Sequence, residues 1–385
     1  MVLKVSRRGA IPPFIVMDVL RAANRRQAAG GEVLHLELGQ PSTGAPRGVI
    51  DRAKEALDRE LLGYTEALGI ETLRRRIAAH YAATEKVAVD PDRIVVTTGS
   101  SGGFVLAFVA AFDAGDRVAL ADPGYPGVRN ILMALDIEPV RLPTGPETRF
   151  QPTPELLDRI DGPIDGLVVA SPSNPTGTML GEAEMKALAN YCADRRIRFI
   201  SDEIYHGIVF DRPGVSALRY SDDAVVINSF SKYFAMTGWR IGWMVAPPEL
   251  LRSIECLAQN LFISPPTLSQ FAARAVFDFT DELDGYVARY ARNRAILLDG
   301  LREAGFDRLA PADGAFYVYA DVAHMTNDSE AFCRRMLAET GVASAPGTDF
   351  DPDRGNAFMR LSFSGNTDDI SEAVRRLRAW TRAGS

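Results

Sequence analysis

The sequence predicts an α/β fold: a large domain built on a mostly parallel sheet flanked by helices, and a smaller α+β domain assembled from both chain ends. Three observations carry this. Short β-branched runs alternate with amphipathic segments through the middle of the chain, the pattern of strands and helices wound into one sheet. Those runs are apolar throughout rather than alternating, as strands covered on both faces are. Past residue 250 the pattern gives way to long helices and a compact strand-containing stretch. A chain of 385 residues exceeds what one small core serves. The expected division is 46–289 for the large domain and 1–45 with 290–385 for the small one.

In chain order, a helix opens after Pro12-Pro13 and a strand follows at 33–38. Neither has a place in the central sheet, so both are assigned to the small domain. Sheet strands are expected at 93–98, 117–121, 166–170, 198–201, 224–228 and 241–246. Between them lie helical patterns at 102–112, 125–135 and 182–195, the last ending in basic residues, as helix C-termini prefer. A long helix at 282–304, strands at 315–320 and 357–363 and a terminal helix complete the chain.

Composition narrows the function. The net charge of -7 argues against a nucleic-acid binder, which is usually basic, and favours a small-molecule partner. The longest apolar run, 104–112, is far short of the roughly 20 residues a membrane helix needs, and the first residues lack a signal-peptide core. A cytoplasmic protein with no membrane partner is expected. Cys192, Cys256 and Cys333 lie far apart, are odd in number and form no CxxC, which points to reduced structural thiols. Four histidines at 35, 80, 206 and 324 show no ligand spacing, so no metal is expected.

In an open parallel sheet, ligands bind beyond the carboxyl ends of the strands. Four polar segments fall there: 99–102 (GSSG), 171–177 (SPSNPTG), 202–205 (DEIY) and 229–232 (SFSK). A lysine at a buried strand end loses solvation, which lowers its pKa and makes the nucleophilic amine accessible near neutrality. Lys232 alone reads as a side chain that reaches the surface; the neighbouring segments change that reading. Asp202 would be costly as a buried anion without a positive partner, and a protonated pyridine nitrogen is one. Asn174 and Tyr205 offer neutral donors for a phenolate oxygen on the same ring. The glycine-rich turn Ser100-Ser101-Gly102 opens a helix whose free N–H groups suit a phosphate, and Ser229, Ser231 and Arg240 could complete that site. Tyr125 could lay its ring on a cofactor. Taken singly these are a turn, a surface salt bridge and a core aromatic.

Together, SPSNPTGT, SDEIY, SFSKYFAMTGWRIGW and FMRLSF resemble the class I/II aminotransferases of pyridoxal-phosphate fold type I, from about Pro12 to the terminal helix. The resemblance implies pyridoxal 5'-phosphate as cofactor and ping-pong transfer of an amino group between an amino acid and a 2-oxo acid. Lys232 would hold the cofactor as a Schiff base and move the substrate proton. Asp202 would pair with the pyridinium nitrogen, and Asn174 and Tyr205 would hold the ring hydroxyl. Ser100, Ser101, Gly102, Ser229 and Arg240 would cup the phosphate, and Tyr125 would stack on the ring. Arg360 would grip the substrate carboxylate beside Gly39. Tyr64 would reach the phosphate of the second subunit of a homodimer. A lyase on the same cofactor is the alternative within enzymes. Regulators that share the fold carry a DNA-binding module ahead of it, whereas 38 residues precede Gly39 here.

Overall fold

The structure, a computed structural model, describes residues 3–383. At its centre is a seven-stranded sheet: β1 (Ile94–Thr97), β2 (Arg117–Asp122), β3 (Glu138–Pro143), β4 (Gly166–Ala170), β5 (Arg198–Asp202), β6 (Val225–Ser229) and β7 (Gly242–Val245), in the spatial order β1-β7-β6-β5-β4-β2-β3. All pairings are parallel except the two made by β7, which runs against both β1 and β6.

The uniform apolarity of these strands follows from their two covered faces. Val96, Leu167, Val169, Val226 and Trp243 join one core, while their neighbours Val95, Val168, Val225, Ile227 and Met244 join the core on the other side. The helix Gly99–Ala111 lays Phe104, Leu106 and Phe108 on that second face. Truncating a fully buried ring such as Phe108 to alanine should cost about 3–5 kcal/mol, combining lost transfer energy with a cavity. The strand at 138–143 was not expected from the sequence. Prolines at both ends of EPVRLP weaken the strand pattern, and they are tolerated because β3 is an edge strand.

A second, four-stranded antiparallel sheet orders Ala345–Pro346, Phe358–Ser362, Tyr317–Asp321 and Arg308–Leu309. Its core includes Phe306, Phe316, Leu361 and Phe363, covered by residues of the helices Thr280–Glu303, Ser329–Thr340 and Thr367–Ala383. The strand expected at 33–38 shrinks to Leu34–His35, which pairs in parallel with Val342–Ala343. The helix expected to follow Pro12-Pro13 spans Ile15–Ala28. Its first turn is held by Asp349, whose carboxylate accepts from the backbone N–H of Ile15 at 2.9 Å and Val16 at 3.2 Å. No helix among the described residues is long and apolar enough to cross a membrane. Cys192 and Cys333 are buried and Cys256 is half-buried, all as free thiols.

Candidate active site

The strand register brings the four polar segments to one edge. Ala170 of β4 lies beside Asp202 of β5, Asp202 beside Ile227 of β6, and Ser229 at the end of β6 beside Gly242 at the start of β7. Because β7 runs backwards, Arg240, which precedes it, arrives at the same edge as residues that follow the parallel strands.

That edge opens into a cavity of about 580 Å³. Eleven of the fourteen residues proposed from the sequence line it: Gly39, Ser100, Ser101, Tyr125, Asn174, Asp202, Tyr205, Ser231, Lys232, Arg240 and Arg360. A hollow of about 710 Å³ near Glu303 and Trp380 is larger but holds none of them.

Lys232 reaches in from just beyond β6, and its Nζ donates to the Gly39 carbonyl at 2.5 Å. The chain has five lysines; Lys4, Lys54, Lys86 and Lys186 are exposed, so Lys232 is the one enclosed by protein. Arg360, in the middle of the strand Phe358–Ser362, is buried between the rings of Tyr317 and Phe350, with Cζ 4.4 Å and 4.7 Å from their centroids. It donates to Asn174 Oδ1 at 2.8 Å and to the Glu37 carbonyl at 2.5 Å, and its buried Nε has no hydrogen-bond partner. Among the described residues, Lys232, Arg240 and Arg360 make no salt bridge. One cavity thus gathers three cationic side chains with no carboxylate paired to them.

The helix Gly99–Ala111 starts three residues earlier than expected, so TGSSGG is its first turn rather than a loop before it. Its N-cap, Thr98, makes no side-chain capping bond and its first turn has no acidic residue. The free N–H groups and the positive helix end are therefore uncompensated at the cavity. Gly99 has φ +76°, and a Cβ there would strike the Arg240 guanidinium; only glycine allows this approach.

Three proposed residues lie off the cavity wall. Ser229 Oγ is engaged with Ser231 Oγ at 2.9 Å and the Ile241 carbonyl at 3.2 Å, so its side chain supports Ser231 from behind. Gly102 is buried against Thr98, and with Thr98 as N-cap its backbone N–H is the first one taken up by the helix itself. Tyr64 is 83% exposed and does not line this chain's own cavity.

The family model for aminotransferase class I and II matches residues 31–377. The chain belongs to this family. It is 56% identical over 381 residues to valine–pyruvate aminotransferase from Mycobacterium tuberculosis, covering 98% of each chain. It superposes on the crystal structure of an aminotransferase from the same organism with a TM-score of 0.97, at 54% identity, covering 99% of this chain and 100% of the other. It also matches the Thermus thermophilus aspartate aminotransferase solved with maleate, with a TM-score of 0.91 at 30% identity, over 98% and 100% of the two chains. The chain is an aminotransferase.

The electrostatics of this aminotransferase's cavity are set first by burial. It pushes Asp202 up to about 7, with the Ile204 backbone N–H and Lys232 pulling the other way. It pushes Lys232 down to about 8, helped by the nearby Arg360 and Arg240. Each group is thus short of the counter-charge its charged form needs. Sequence reasoning missed Tyr317, whose ring carries Arg360 and whose hydroxyl lies 2.6 Å from that of Tyr205. Inside a strand, YVYAD reads as core, and nothing local marks that tyrosine. Phe14, Val16 and Met17, which also line the cavity, were missed too, because they are brought there by partners distant in sequence, among them Asp349 and Tyr125. His206 was set aside as a ligand, yet it braces the site from beneath. Its ring contacts Glu85 at 3.0 Å and the Ser171 carbonyl at 3.1 Å. Burial opposes its charge, but Glu203 and Glu85 raise it to about 9.

Proposed function

We propose that this aminotransferase uses pyridoxal 5'-phosphate, held by Lys232, to move the amino group of a neutral amino acid to a 2-oxo acid such as pyruvate. The observation that carries the reading is the set of three unpaired cations in one cavity facing a lone buried carboxylate, Asp202. A doubly anionic phosphate and a substrate carboxylate answer the first need, and a pyridinium answers the second. The residues fit. The uncapped start of the helix Gly99–Ala111, with Ser100, Ser101, Ser231 and Arg240, would hold the phosphate, with Gly102 backing the same turn. Ser229 acts through Ser231. Asp202 faces the ring nitrogen, Asn174 and Tyr205 the ring oxygen, and Tyr125 the ring face. Arg360, steadied by Asn174 and the Glu37 carbonyl, offers its free edge to the substrate carboxylate beside Gly39.

When bound, the cofactor supplies an aldehyde that binds amines and a ring that draws electrons from the carbon bearing the amine. The protein supplies the rest. Lys232 Nζ, already poor in protons for a lysine, takes the proton from the substrate α-carbon and returns one to the acceptor carbon. Asp202 keeps the ring nitrogen protonated. Arg360 fixes the substrate so that its α-carbon faces Lys232.

The substrate side chain meets Phe14, Val16, Met17, Leu38 and Ile204, an apolar wall suited to an aliphatic group, and the Mycobacterium tuberculosis relative bears the name valine–pyruvate aminotransferase. Incubation with L-valine and pyruvate should yield L-alanine and the valine-derived oxo acid in equal amounts without ammonia. Ammonia with no alanine would point instead to elimination.

We further propose a cytoplasmic homodimer, with each chain divided into 46–289 and 1–45 plus 290–385. Exposed apolar side chains support the dimer: Leu57, Leu61, Leu62, Tyr64, Leu261 and Ile263 are all exposed, and hydrogen bonds of Thr65 and Gly63 with Ser264 and Thr267 bring the two segments together. Ser101 and Arg240 are exposed in the single chain, so the phosphate end opens to the surface where a partner's Tyr64 can close it.

A further inference from the structure

Two buried phenols meet at the cavity wall. Tyr205 comes from the turn after β5 and Tyr317 from the strand Tyr317–Asp321 of the other sheet, and their hydroxyl oxygens lie 2.6 Å apart. Among the described residues, neither hydroxyl has another hydrogen-bond partner. Burial raises both pKa values above the ordinary tyrosine value, so both are protonated near neutrality. The pair therefore holds two protons and consumes one between its own oxygens. One proton is left for whatever occupies the cavity that both residues line.

Tyr317 is the fixed member. The Arg360 guanidinium sits over its ring at 4.4 Å. Its hydroxyl occupies the space where a Cβ at position 39 would stand, which Gly39 leaves empty. No acceptor other than the Tyr205 oxygen lies within hydrogen-bond reach of it.

We infer that Tyr317 is a positioning residue for amino transfer: it donates its hydroxyl proton to Tyr205 and so leaves the Tyr205 proton aimed at the anionic ring oxygen of the bound cofactor. The inference rests on the cofactor reading given above. It assigns one device to two sheets, because Tyr317 also carries the arginine that grips the substrate, and it explains why position 39 is a glycine.

Tyr317→Phe keeps the ring under Arg360 and removes only the donor. The Michaelis constant for L-valine should stay within about twofold, while kcat falls about threefold to tenfold, the size of one hydrogen bond between neutral groups. With a weaker donor, the ring oxygen of the loaded protein becomes more basic. The midpoint of the pH titration of its visible absorbance should therefore rise by about half a unit or more, as a smaller share of that bond. In a Tyr205→Phe background the Tyr317→Phe change should shift the midpoint no further, since its effect passes through Tyr205. Gly39→Ala, which displaces the Tyr317 hydroxyl without altering either phenol, should raise the midpoint too and supplies the test if Tyr317→Phe fails to fold. A wild-type protein that takes up no pyridoxal phosphate overturns the cofactor reading and this inference together. A wild type that loads normally beside variants with an unshifted midpoint, or shifts that add in the double variant, overturns the role of Tyr317 alone.

Discussion

At the scale of single residues, the cavity leaves Lys232 and Asp202 short of support for their charged forms and Arg360 without a paired carboxylate, and each imbalance predicts a measurement. Lys232 is pushed down to about 8 by burial and two arginines, and only the neutral amine attacks an aldehyde. Capture of pyridoxal phosphate by the cofactor-free protein should therefore quicken as pH rises, levelling off above about 8. Stopped-flow absorbance that keeps climbing past pH 10 would show an ordinary lysine. Asp202→Asn removes the carboxylate proposed to keep a ring nitrogen protonated. It should lower kcat by about a hundredfold to a thousandfold, the range for losing one preorganised electrostatic contact, with the fold intact by circular dichroism. Arg360→Lys replaces a bidentate fork with a point charge. A loss of about 1.5–3 kcal/mol should raise the Michaelis constant about tenfold to a hundredfold, equally for amino acids of different side chain; a side-chain-dependent loss would argue against carboxylate binding. These residues were legible because they follow strand ends in a particular order. Tyr317 was not, because a tyrosine inside a buried strand carries the same local signal whether it packs or positions.

At the scale of elements, the sheet strands were legible from apolar runs that must be covered on both faces, and the long helix Thr280–Glu303 from its sustained periodicity. The direction of β7 was not, since GWMV reads the same parallel or antiparallel, yet that direction is what delivers Arg240 to the cavity edge. The edge strand β3 was hidden by its prolines. The helix Ile15–Ala28 was expected, but its docking was not: a single carboxylate, Asp349, far away in sequence, accepts from both first-turn amides. With the Phe14–Tyr125 ring contact, it helps hold Phe14, Val16 and Met17 over the cavity. Asp349→Asn should weaken helix capping by about 1 kcal/mol and speed hydrogen exchange at the Ile15 and Val16 amides. It should also raise the Michaelis constant for L-valine more than for L-alanine, whose shorter side chain touches less of that wall. Unchanged exchange at those amides would show that the helix is held by other contacts.

At the scale of the whole molecule, the two sheets meet over one cavity that stays open on the side where Ser101 and Arg240 are exposed, and the apolar surface around Tyr64 is uncovered. The proposed two-fold dimer with shared sites would account for both. Mixing Lys232→Ala subunits with Tyr64→Ala subunits should restore activity above that of either parent, because one site of each mixed dimer then has Lys232 from one chain and Tyr64 from the other. Proven subunit exchange without recovery would exclude that sharing. The central claim is that the amine of Lys232 holds the cofactor on which amino transfer runs. The direct measurement is to load the protein with pyridoxal phosphate, reduce it with borohydride, digest it and locate the added mass among the five lysines. The account predicts one label per chain, on Lys232, and its loss when L-valine is added before reduction. Label on an exposed lysine, or none on Lys232, would contradict it.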